Sequence, residues 1–132
     1  MPNEKKIELA NYRIEKAKET LGAAKLNFES GFYLDSVNRS YYSIFHAARA
    51  LLALEDKDFK KHSAVISHFQ RYYIKTKIFN VRFSEIIFNA FEIRNESDYE
   101  DFYVLPKESV EEQIKNAAQF IAEIEKYIKS VV

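Results

Sequence analysis

The chain has no cysteine in its 132 residues, which excludes disulfides, thiolate zinc sites and cysteine nucleophiles and fits a reducing compartment. Glycine and proline occur only 2 times each. That is too few for the tight turns of a sandwich or barrel, and it suits long helices joined by short loops. Because Gly22 and Gly31 stand alone, there is no glycine-rich loop to cradle a phosphate. Neither sign of charge is in excess, with 20 basic and 20 acidic residues, so the chain as a whole has no polycationic pull toward nucleic acid or membrane. No run approaches the roughly 18 uncharged apolar residues of a membrane span, and the opening Met1-Pro2-Asn3-Glu4-Lys5-Lys6 lacks the apolar core of a signal peptide. The expectation is a cytoplasmic protein with no membrane association.

What is present favours a folded core. Hydrophobic residues make up 47% and aromatics 15% of the chain, enough to offset the ordering entropy of a single domain spanning residues 1–132. The apolar periodicity is helical throughout. Ile7, Ala10, Ile14, Ala17, Leu21, Ala24 and Phe28 predict a first helix over about 4–29, closed by Gly31 in a left-handed cap. A second, over about 33–55, carries Val37, Tyr41, Ile44, Phe45, Ala48, Leu51 and Leu52 on one side. A shorter third helix follows Lys57-Asp58, with Asp58 as candidate N-cap, and holds His62, Val65, Ile66, Phe69 and Tyr72 or Tyr73. Phe83, Ile86, Ile87 and Ala90 mark a fourth, and an acidic, aromatic connection from Asp98 to Tyr103 leads to a fifth. Ser109 with Glu112 reads as the capping box of that last helix, along which Val110, Ile114, Ala117, Ile121, Ile124, Ile128 and Val131 recur. The fold class expected is all-α, an antiparallel up-and-down bundle of about five helices.

Candidate chemistry falls where this pattern is broken. Arg94 takes the next place on the stripe of Phe83, Ile87 and Ala90, although a guanidinium is almost never buried unless it is paired. Asp98, one turn on, can reach it, so Arg94 is either an internal ion pair or a functional cation. On the second helix, Arg39, Tyr42, His46 and Arg49 project opposite the apolar side, a set suited to binding a nucleotide or RNA, or to a partner interface. His46, His62 and His68 lack the i, i+4 pairing of helical metal sites, and no metal or other cofactor is expected. Charge is segregated along the chain. Lys57, Lys60, Lys61, Arg71, Lys75, Lys77 and Arg82 are opposed within residues 57–82 by Asp58 alone, whereas residues 85–112 are strongly acidic. These stretches could pair with each other inside the bundle, or the basic one could track RNA.

Three blocks covering most of the chain resemble the HEPN family (higher eukaryotes and prokaryotes nucleotide-binding), in its small stand-alone prokaryotic branch. They are the segment from Gly31 to Leu52, with its paired Tyr41-Tyr42 before Phe45-His-Ala-Ala-Arg-Ala50, then Lys61-His-Ser-Ala-Val-Ile66, and Arg94-Asn-Glu-Ser-Asp-Tyr99. The resemblance implies a helical bundle that forms a homodimer, with the Arg94 region facing a cleft between subunits. It also implies membership of a toxin–antitoxin or defence pair in which a small nucleotidyltransferase is the antitoxin. Many members are metal-independent ribonucleases whose motif is an Arg followed four to six residues later by His. Here those positions hold Asp98, Tyr99 and Glu100, with Asp101 next, and the form Arg94-x-x-x-Asp98-Tyr99 resembles the stand-alone branch's own signature. The site residues implied are Arg94, Asp98 and Tyr99. The readings left open are a nucleotide- or RNA-associated module, a metal-independent endoribonuclease in which Asp98, Tyr99 or His46 moves the proton, and a catalytically inert interaction module.

Overall fold

The computed structural model describes residues 3–132, so that Met1 and Pro2 of the opening stretch lie outside the described residues. Five helices follow in order: α1 Glu4–Glu29, α2 Tyr33–Leu54, α3 His62–Phe69, α4 Val81–Tyr99 and α5 Lys107–Val131. A single π-helical turn, Gln70–Ile74, continues α3. There is no strand among the described residues, as the scarcity of turn formers led one to expect. Asn3 caps α1 by accepting the Lys6 N–H at 3.0 Å. At the other end Gly31 adopts φ 80°, and the Phe32 N–H donates to the Asn27 carbonyl at 2.8 Å. This is the left-handed closure expected there, and it turns α2 back along α1.

α2 is the central element. Its apolar side faces α4 and α5, and its other flank is lined by Ser36, Ser40, Ser43, Ala47 and Ala50, all buried. Small residues let α1 approach closely with its own Ala10, Ala17 and Ala24, each fully buried. The Ser36 hydroxyl donates to the Ala24 carbonyl at 2.8 Å, which satisfies one of the polar groups this contact dries. On α5, Phe120 and Gln113 are buried alongside the apolar stripe read from sequence, while Ile114 and Val131 are half-buried.

Three local expectations are corrected. Asp58 does not cap α3, which starts four residues later behind an extended Lys61 with no side-chain cap. Its carboxylate is occupied by Arg49 and Arg13. Ser109 is not the N-cap of α5 either. Pro106 is, with its carbonyl accepting the N–H groups of Ser109 and Val110 at 3.0 and 3.3 Å, so Ser109 lies inside the first turn. Asp98 and Tyr99 belong to the last turn of α4, and the connection begins at Glu100. The two charged stretches also stay apart. Among the described residues no cation of 57–82 forms an ion pair with a carboxylate of 85–112.

Candidate functional site

Arg94 stands three-quarters along α4, where the stripe of Phe83, Ile87 and Ala90 carries it against α2 with its side chain 21% exposed. Its Nε lies 3.0 Å from Asp98 Oδ2. That N–H is buried and is not aimed at the oxygen, so the contact is an ion pair without a directed hydrogen bond. The terminal nitrogens donate once each, Nη2 to the Tyr42 hydroxyl at 3.2 Å and Nη1 to Asn95 Oδ1 at 3.3 Å. The guanidinium carbon sits 5.9 Å from the centre of the Tyr41 ring and 5.6 Å from that of Tyr42, within the range of cation–π attraction. A guanidinium has four terminal N–H groups, and two of them have no acceptor among the described residues. The cation is therefore placed and partly dried, with donors to spare for an anion.

α3 completes this site with a residue that sequence reading passed over. The His62 ring stacks on Phe45 at 4.1 Å between centres, and its Nδ1 lies 2.7 Å from the Tyr41 hydroxyl. Burial, and then the charges of Arg94 and Arg49, lower the His62 pKa below its ordinary value, leaving a neutral imidazole at neutral pH. Burial raises the Tyr41 phenol, so it keeps its proton. The Lys61–Ile66 block held the signal for His62, but a lone histidine at a helix start has no pattern to single it out. Beyond His62 opens a cavity of about 510 Å³ lined by Phe45, Arg49, Asp58, Phe59, Lys60 and His62. In it Asp58 takes Arg49 at 2.6 Å and 3.2 Å, accepts from Arg13 at 3.3 Å and receives the Phe59 N–H at 2.9 Å. The hydrogen bond from Arg49 is the chief reason its carboxyl titrates below the usual range.

The sequence-derived candidates separate into those that meet and those that do not. Arg94, Asp98 and Tyr42 come together. Tyr99 ends α4 at 80% exposure and has no hydrogen-bond partner among the described residues, so it stands outside the cluster. Arg39 is exposed and has no ion pair or hydrogen bond from its side chain among the described residues. His46 lies against Tyr42 at 6.4 Å between ring centres, with Lys16, Arg49 and Arg13 around it. Burial and those cations push its pKa down to about 4. It has no hydrogen bond to Arg94 among the described residues, whereas His62 reaches the Arg94 site through Tyr41.

The family model described as the HEPN domain matches residues 10–127. Two proteins of Methanocaldococcus jannaschii, both named as candidate toxins, are 36% identical over 90% of this chain and 88% of their own length in one case, and 35% over 89% and 80% in the other. A UPF0332 protein of Thermotoga maritima is 33% identical over 98% of this chain and 97% of its own.

Proposed function

The chain belongs to the HEPN domain family, and we propose that it is the HEPN component of a toxin–antitoxin or defence pair, binding RNA or a nucleotide at Arg94 and acting with a small nucleotidyltransferase. The observation that carries this reading is the half-buried Arg94 guanidinium with two terminal N–H groups that have no acceptor among the described residues. Arg–carboxylate pairs often use the planar fork bidentately, whereas Asp98 meets Nε alone. The names of the two archaeal relatives support the toxin side of the proposal. Arg94→Ala is expected to weaken binding of a short RNA at least tenfold and to relieve growth arrest on expression. The cost in stability should be within about 1 kcal/mol, because Asp98 is left at the surface. Arg94→Lys should restore little, since an ammonium lacks the fork. Unchanged RNA binding, partner association and growth arrest in a stably folded Arg94→Ala protein would remove the site.

His62 favours one second reading, a metal-independent endoribonuclease. In the tautomer that donates Nδ1–H to Tyr41, the other ring nitrogen takes the proton of a ribose 2′-hydroxyl as that oxygen attacks the adjacent phosphorus. Arg94 stabilises the crowded phosphorane, and the P–O5′ bond breaks to leave a 2′,3′-cyclic phosphate while the imidazolium returns its proton to the departing 5′-oxygen. This predicts RNA cleavage in EDTA by wild type. His62→Gln would abolish cleavage while RNA affinity stays within about twofold. An inert interaction module instead predicts stable co-purification with one partner and no cleavage.

A further inference from the structure

We propose that Tyr72 and the basic surface around it form a second subsite for single-stranded RNA, which holds the strand where it leaves the Arg94 site. This inference rests on the reading of Arg94 as an RNA site. Within residues 57–82 the only acid, Asp58, is already neutralised by Arg49 and Arg13. The seven cations of that stretch are all exposed, and none forms an ion pair among the described residues. Lys57, from the α2–α3 connection, and Arg71, from the π-helical turn, converge on one aromatic ring. The Lys57 Nζ lies 5.6 Å and the Arg71 Cζ 5.5 Å from the centre of Tyr72.

That ring is 43% exposed and is backed by the buried His68 imidazole at 4.5 Å. Both Glu55 oxygens, 3.0 Å from His68 Nε2, hold the imidazole still. A flat platform fixed from behind and flanked by cations fits a nucleobase with its phosphates. An acidic peptide would engage the cations but gain nothing from the ring. The two cations are held over Tyr72 by contacts worth roughly two- to fivefold each at an exposed site, while stacking one base is worth roughly fivefold to a hundredfold. A base that stacks on the ring takes their place, and they move onto its phosphates. A chain of ring contacts links the two places. His62, beside the Arg94 cluster, forms one wall of the cavity, and Phe59, which also lines it, lies 5.4 Å from His68.

The test measures fluorescence anisotropy in EDTA with a labelled 12-nucleotide 2′-O-methyl RNA and, separately, a dinucleotide. Tyr72→Ala should weaken the 12-mer at least fivefold and leave the dinucleotide unchanged, while Tyr72→Phe binds both as wild type. Lys57→Gln with Arg71→Gln should flatten the dependence of log affinity on log salt by about 1.4, the contribution of two phosphates on a single strand. Arg94→Ala should lose the dinucleotide. If Tyr72→Ala binds the 12-mer as wild type does while Arg94→Ala does not, the second subsite is refuted and the Arg94 reading stands. If wild type binds neither RNA, both fall. If these variants weaken binding of polyglutamate and not of RNA, the surface serves an acidic protein and the inference is wrong.

Discussion

A cation on an apolar stripe must be satisfied where it stands, and at Arg94 the satisfaction is partial: one misaligned carboxylate, one phenol, one amide and two ring faces. At His46 burial acts in the other direction and removes a charge. Half-buried among Lys16, Arg49 and Arg13, the ring is held neutral, with its pKa pushed down to about 4 from an unfolded value near 6.5. Between those two pH values the unfolded chain binds the extra proton, so His46 lends stability above pH 6.5 that is lost progressively as the pH falls toward 4. NMR titration should place the His46 ring midpoint near 4, and His46→Gln should make stability less steep across that window. A midpoint near 6.5 would mean the ring is solvated.

At the scale of elements, the junction of α2 with α3 depends on Glu55. Its carboxylate sits 3.0 Å from His68 Nε2 through both oxygens, and one of them accepts the Tyr73 hydroxyl at 2.7 Å. Both partners are buried, so Glu55→Ala orphans two polar groups and should cost about 2–4 kcal/mol. Urea unfolding at constant m measures this, and a loss under about 0.5 kcal/mol would show that water replaces the carboxylate. The helices themselves were legible because each carries its apolar residues at three- and four-residue spacing. The starts of α3 and α5 were not. Asp58 and Ser109 are good cap residues by type, yet Arg49 and Arg13 claimed the first and the Pro106 carbonyl pre-empted the second.

At the largest scale, no helix among the described residues is long and apolar enough to cross a membrane. The end of α4 and the connection beyond it leave Tyr99, Phe102 and Val104 at 80%, 100% and 83% exposure, apolar groups that a partner surface could cover. Together with the homodimer implied by the family, this predicts light scattering at twice 15.6 kDa. A protomer mass maintained at every concentration up to roughly 100 μM would count against self-association, since a stable dimer interface holds well below that.

The amino-acid sequence by itself determined that this chain is all-helical, which residues line its core, and that Arg94 is out of place among them, because hydrophobic periodicity and a misplaced charge are properties of a single helix. Only the tertiary structure decided which side chains meet that charge. His62 reaches the Arg94 cluster through Tyr41 from a helix 32 residues before Arg94 in the chain. Lys57 and Arg71 close on Tyr72 from two different elements. Asp98 turns back to Arg94, whereas its neighbour Tyr99 turns to solvent. Helical spacing sets directions within one element, whereas the meeting of two elements depends on how they pack, and no local pattern encodes that.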